Sequence, residues 1–156
     1  MLGKGTAVCV PEDIDTDIII AGRYLRTKDR GVWATHIFED LNPVLASRLK
    51  GSIIVAGKNF GCGSSREQAA IALREAGVVA VIAPSFARIF FRNAINIGLP
   101  LIESDVPCPE GSTVSFDLSE GWIEIDGKRY TVPLLSLRMQ EIVKAGGLVA
   151  FWRVHR

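Results

Sequence analysis

The stretch "NFGCGSSREQAA" at residues 59–70 concentrates side chains that could do chemistry. Gly61 and Gly63 flank Cys62, and two hydroxyls, Ser64 and Ser65, precede Arg66 and Glu67. Glycines between an apolar run and an alanine-rich run permit positive φ and a close approach of backbone to a ligand. Ser64 is a suitable helix N-cap, and Glu67 three residues on would complete a capping box, which accounts for both without any function. It leaves Arg66 unexplained, because a cation in a first helical turn opposes the helix dipole. Free N–H groups, a serine hydroxyl and a guanidinium together suit a carboxylate or a phosphate. Phosphate is the poorer fit: no lysine follows the glycines, and the sixth position counted from Gly61 is Arg66, so neither phosphate-binding glycine pattern is present. G-x-S-x-G is also absent, and the two histidines, His36 and His155, have no evident triad support.

The elements that must position this stretch read as alternating strands and helices. Residues 5–10 form a short strand, followed by acidic turn residues and a β-branched run in "PEDIDTDIII". Residues 21–31 read as a charged surface loop. Trp33, Ile37 and Leu41 are four apart, which predicts a helix over 32–41. "SIIVAG" (52–57) is a buried-strand pattern running straight into the glycines. A helix then follows, with Gly77 to end it. A strand over 78–83, a second helix over 85–98 and a third short strand over 99–103 complete a series of β-α-β units, which implies a parallel core sheet. In the second helix Ile89, Phe90, Ile95 and Ile97 read as core, and Arg88 and Arg92, one turn apart with Asn93 and Asn96 behind them, as a solvated face that could instead buttress a neighbouring loop or meet a partner. Beyond it "STVSFDL", "GWIEID" and "KRYTVP" alternate as an antiparallel meander. "SLRMQEIVKAGG" closes the chain as a helix, with "LVAFWRV" either extending it or adding a last strand. The reading is one α/β domain over residues 1–156, with a mostly parallel core sheet and a β-rich C-terminal part.

Bulk properties exclude several function classes. The chain has 156 residues, 48% hydrophobic, and a formal net charge of +1 from 18 basic and 17 acidic side chains, which implies neither a nucleic-acid nor an acidic-membrane partner. Three widely spaced cysteines without C-x-x-C argue against a disulfide framework and against a metal or cluster site built by this chain alone. A reduced, cytoplasmic setting follows. The N-terminus lacks the apolar core of a secretory signal, and no apolar run is as long as a membrane span.

"DIDTDIII", "GRYLRTKD" and "NFGCGSSRE", in this order and followed by "VVAVIAPSFARIFFRNAINIGLP", resemble the swivelling domain of the aconitase superfamily. In length and motif order the chain is similar to the free-standing small subunits of 3-isopropylmalate dehydratase and homoaconitase. The resemblance implies a three-layer β/β/α swivelling fold and a hydro-lyase reaction. A proton leaves the carbon beside a carboxylate, and the hydroxyl leaves the neighbouring carbon to an iron of a [4Fe–4S] cluster. The family's cluster cysteines belong to a large subunit, so the chain should work only with that partner, and Cys62 reads as a small packing residue near the site.

Carried onto this sequence, the family's base maps to Ser64, with Ser65 hydrogen-bonding in the same site and Arg66 holding a substrate carboxylate. Asp17 matches an active-site aspartate, although by itself it reads as a turn residue before a strand. Asp15 and Thr16 read as loop formers. Arg26, Thr27 and Lys28 fall in the loop that meets the substrate's variable end. An isopropyl group there wants an apolar neighbour, whereas the carboxylate of homocitrate wants a cation, and arginine is the better carboxylate partner. The expectation is a 3-isopropylmalate dehydratase subunit, with a homoaconitase or broad-specificity isomerase subunit as the alternative. A stand-alone carboxylate-binding module is the alternative of another class.

Overall fold

The computed structural model describes residues 1–155, so Arg156 lies outside the described residues. Its centre is one seven-stranded sheet in the order β4-β3-β2-β1-β5-β6-β7. Strands β1 (Leu2–Val10), β2 (Ser52–Ala56), β3 (Ala80–Ala83) and β4 (Leu101–Glu103) run parallel. Strands β5 (Thr113–Asp117), β6 (Trp122–Ile125) and β7 (Lys128–Thr131) form the expected antiparallel meander. It joins the parallel half edge to edge, with β5 antiparallel to β1 from Leu2↔Asp117 to Thr6↔Thr113.

Alternate residues of the parallel strands feed two cores, as the two-residue period of a strand requires. Val8, Val10, Ile54, Ala56, Val81 and Ala83 pack with the helices α1 (Thr16–Ile19), α2 (Arg30–Thr35), α3 (Glu67–Glu75) and part of α4 (Arg88–Asn96). Ala7, Ile53, Ala80 and Ile82 pack with Phe116 and Ile123 of the meander and with α5 (Leu137–Ala145) and α6 (Leu148–His155). Both faces are therefore covered, which is why β2 and β3 read as continuous apolar runs. The α/β class, the parallel core and the β-rich C-terminal part are as expected.

Several element boundaries differ from the sequence reading. The helix predicted over 32–41 stops at Thr35, because the backbone turns to place Phe38, at φ 58 and fully buried, into the core, where its N–H donates to Ile19 O at 2.9 Å. Trp33 and Ile37 are buried as the period required. Helix α4 begins at Arg88 rather than at 85, and its Ile89 is half exposed rather than core, while Phe90 and Ile95 are buried. "LVAFWRV" is neither a strand nor an extension. It belongs to a separate helix, set off from α5 by Gly146 (φ 95) and Gly147 (φ 124). A side chain on Gly147 would begin 2.7 Å from Asn96 O, so the break is where the chain crosses close to the end of α4.

Candidate active site

Because β1, β2 and β3 are parallel, the segments leaving Val10, Ala56 and Ala83 emerge at one edge of the sheet, the carboxyl edge where open α/β sheets bind ligands. Hydrogen bonds zip the first two segments together. Asp13 N donates to Lys58 O at 2.9 Å, Gly61 N to Ile14 O at 2.7 Å and Thr16 N to Cys62 O at 2.8 Å. The third segment joins through Phe60 N to Ser85 O at 3.1 Å and Ala87 N to Phe60 O at 3.0 Å. Phe60 is fully buried edge-on to Phe90 and Phe86, with ring centroids 5.3 and 6.2 Å away. The glycine turn is thus clamped between the "DTD" segment and the start of α4.

The capping box expected at Ser64 and Glu67 does not form. Helix α3 begins at Glu67 with Arg66 as its cap residue, and no side chain caps it. Ser64 lies before the helix, with its carbonyl accepting Arg66 N at 2.9 Å. Its hydroxyl stands 3.2 Å from Thr16 Oγ1, so its neighbour is another hydroxyl and not the helix N–H expected of a cap. The physical reason is Gly63 at φ 93, which turns the chain so that Ser64 and Ser65 form an exposed shoulder ahead of α3.

Asp17 is not a turn residue ahead of a strand. It lies in the single-turn helix α1, whose N-cap Asp15 accepts Ile18 N at 2.8 Å, so Asp15 is a capping residue rather than a plain loop former. From there Asp17 Oδ1 receives Arg66 Nη1 at 2.8 Å and Gly22 N at 3.1 Å. The Arg66 hydrogen bond, followed by that from Gly22, pulls the Asp17 carboxyl below the usual range. Both recorded Arg66 bonds, to Asp17 and to Ile20 O at 3.4 Å, use Nη1. The edge carrying Nη2 and Nε is left for a planar anion, and a two-pronged carboxylate fits such an edge. Gly22 keeps that edge open, since a side chain there would start 3.4 Å from Arg66 Nη2. Thr16, read from the sequence as a loop former, and Gly22 were not marked as site residues; the adjacency of Thr16 to Asp17 and the place of Gly22 at the head of "GRYLRTKD" are the signals that could have found them.

The loop of Arg26, Thr27 and Lys28 is rooted by its first residues. Arg23 pairs with Glu39 and Asp40 at 2.9 and 2.8 Å, Tyr24 donates to Glu39 at 2.5 Å and stacks on His36 at 4.1 Å, and Trp33 Nε1 donates to Tyr24 O at 3.1 Å. Hydrogen bonds from Tyr24, then Arg23 and His36, pull the Glu39 carboxyl down to about 2. Thr27 Oγ1 accepts Asp29 N at 3.1 Å, and Arg26 and Lys28 are exposed, with no acidic partner among the described residues. Ser65 is exposed beside Ser64. Arg88 and Arg92 are exposed, as the solvated-face reading expected, and make no hydrogen bond to these loops among the described residues. With Arg138 and Glu103 they line a cavity of about 490 Å³ between α4 and α5.

A profile described as the aconitase C-terminal domain matches residues 14–105, a span that contains α1, the glycine turn and α3 to β4. The chain belongs to the aconitase C-terminal domain family. Among relatives of this aconitase-type domain, the methanogen homoaconitase small subunit of Methanothermobacter thermautotrophicus is 54% identical over 141 residues, covering 88% of this chain and 83% of that protein. The 3-isopropylmalate dehydratase small subunit of Halothermothrix orenii is 52% identical over 153 residues, covering 94% and 92%. The crystal structure of 3-isopropylmalate dehydratase from Methanocaldococcus jannaschii superposes with a TM-score of 0.94 at 44% identity, covering 99% of this chain and 95% of that one.

The aconitase family implies an iron–sulfur cluster, and this chain's own donors do not fit one. Cluster ligands are thiolates. Burial pushes the thiols of Cys9, Cys62 and Cys108 up, Cys9 to about 11 with Glu110 adding to it. Among the described residues no group of three or more His, Cys, Asp or Glu side chains gathers as a metal site, and no helix is long and apolar enough to cross a membrane.

Proposed function

We propose that this chain is the small subunit of a 3-isopropylmalate dehydratase, a hydro-lyase that interconverts 2- and 3-isopropylmalate by dehydration and rehydration. A larger partner subunit carries the [4Fe–4S] cluster, and this chain supplies the proton acceptor and the grip on a carboxylate. In this assignment Ser64 Oγ takes the proton from the carbon beside that carboxylate. The Nη2 and Nε edge of Arg66 binds the carboxylate and stabilises the charge that grows on it as the proton leaves. Asp17 holds Nη1 so that this edge faces outward, and Ser65 offers a second hydroxyl on the same shoulder. The reading places the reaction in the reducing cytoplasm, where the three free thiols are stable.

The observation that carries the proposal is the zipper between residues 13–16 and 58–62, which brings Ser64, Arg66 and Asp17 to one exposed spot at the carboxyl edge of the sheet. Its test is turnover by the two-subunit enzyme after anaerobic cluster reconstitution, followed by absorbance of the alkene intermediate. Ser64→Ala should lower kcat by about 100-fold or more while association of the subunits is unchanged. Wild-type rates in that variant would remove Ser64 as the base. Exposed Arg26 favours a second reading, a homoaconitase subunit, because an unpaired guanidinium suits the extra carboxylate of homocitrate.

A further inference from the structure

Thr16 is one of only three polar residues buried among the described residues, at 2% exposure. Its surroundings are specific. The backbone N–H is spent on Cys62 O at 2.8 Å. The hydroxyl meets two atoms, both of one residue: it donates to Ser64 O at 3.0 Å and stands 3.2 Å from Ser64 Oγ. A threonine hydroxyl has one proton and two acceptor sites. With its proton on Ser64 O, Thr16 Oγ1 can only accept from Ser64 Oγ–H, which fixes the direction of the serine hydroxyl on an otherwise exposed shoulder. When Ser64 ionises, with its proton released to water, no acceptor role remains. The Thr16 C–O bond can then rotate so that its proton passes from the carbonyl to the alkoxide. The carbonyl stays satisfied by Arg66 N at 2.9 Å, so the switch leaves no buried acceptor bare. A hydrogen bond to the charged form lowers the pKa of the group that carries the charge, and a charge-assisted bond is the stronger kind.

We infer that Thr16 is the positioning residue for Ser64: it orients the hydroxyl of the neutral serine and donates to it in the ionised state. The inference rests on the assignment of Ser64 as base and goes beyond it. Burial supports the role, because water is kept from Thr16 Oγ1 and cannot replace it. The backbone bond from Thr16 N to Cys62 O keeps the donor in place, so the serine does not depend on solvent for its orientation.

The test uses the assembled two-subunit enzyme with three variants of this chain: Thr16→Val, Thr16→Ser and Ser64→Ala. Thr16→Val keeps the shape and removes the hydroxyl, and should lower kcat by about 10- to 100-fold with KM within about twofold. Its acid limb of kcat against pH should move up by about one unit, because the base has lost its donor. Thr16→Ser should restore the profile. A crystal structure of the isolated Thr16→Val chain should show Ser64 spread over more than one rotamer, and its melting temperature should stay close to wild type. If Ser64→Ala is inactive while Thr16→Val keeps a normal kcat and pH profile, the inference about Thr16 fails and the base assignment stands. If Thr16→Val loses kcat and KM together with a large fall in melting temperature, and Thr16→Ser does not rescue, Thr16 is structural only. Should Ser64→Ala stay active, both assignments fall together.

Discussion

Gly61 and Gly22 lie within the same site but are glycines for different reasons. Gly61 sits at φ 85, and a side chain there would begin 2.2 Å from Cγ of buried Phe90. Gly22 is in a short 3₁₀ turn, and a side chain would meet only side-chain tips, Arg66 Nη2 at 3.4 Å and Asp17 Oδ1 at 3.7 Å. Left-handed strain and core overpacking together should cost Gly61→Ala about 3 kcal/mol. Thermal melts of the isolated chain should therefore show a fall of about 10 °C for Gly61→Ala, and little change for Gly22→Ala. The Gly22 variant should instead raise KM in the assembled enzyme by about tenfold, since it crowds the open edge of the guanidinium. Equal melting temperatures for the two variants would contradict this division. The glycine pattern in the sequence pointed to the site, but it could not separate these roles. Gly61 is demanded by a phenylalanine about thirty positions away, and that contact exists only once α4 has packed.

Among the elements, α1 and α3 are tied by one ion pair. Asp17 belongs to α1, Arg66 to the start of α3, and the carboxyl of Asp17 is lowered on folding by Arg66 first and Gly22 second. A carboxylate whose folded pKa is depressed contributes stability that is complete above the ordinary aspartate value. That contribution is lost as pH falls through the lowered value. The pair is open to solvent, with 60% of the Asp17 side chain exposed, so the effect on stability is small and screened. The melting-temperature gap between wild type and Asp17→Asn should stay constant from neutral pH down to about pH 5, then close below about pH 4. A gap that widens in acid would mean that Asp17 is not held as its surroundings indicate. The strand–helix alternation that builds this region was legible because β2, β3 and α3 have unmixed apolar patterns. What the pattern concealed was local. "DTDIII" is β-branched and read as extended, yet Asp15 caps a single helical turn. Ser64 had the right neighbours for a capping box, yet Gly63 turns the chain early and Arg66 takes the cap position. Local hydrogen bonds decide such boundaries, and hydrophobic period does not record them.

At the scale of the whole molecule, the sheet delivers the side chains of the proposed site to an edge and leaves them exposed there. Ser64 and Ser65 are exposed, and Arg66 offers one open edge, an arrangement that suits chemistry completed by a second surface. The 26–28 loop lies ahead of a rigid root, the Arg23–Tyr24–Glu39–His36 cluster, so its exposed cations are presented from a fixed base rather than from a floppy segment. Substrate choice should therefore depend on the chemistry of position 26 more than on motion of the loop. In the proposed assignment isopropylmalate would bring an apolar group to this end, and burying it against a guanidinium is unfavourable unless the charge is turned away. The longer tricarboxylic substrate brings a carboxylate that the same guanidinium would bind. Replacing Arg26 with leucine in the reconstituted enzyme should raise the kcat/KM ratio of isopropylmalate over homocitrate by about tenfold or more, because an unpaired carboxylate loses a charge-assisted bond. A panel of isopropylmalate, homocitrate, citraconate, maleate, cis-aconitate and cis-homoaconitate, assayed on the wild-type and variant enzymes, reads this directly. Maleate and citraconate, which carry neither the isopropyl group nor the additional carboxylate, should be little affected. A ratio that does not move would show that Arg26 faces solvent throughout the cycle, and specificity would then belong to the partner subunit.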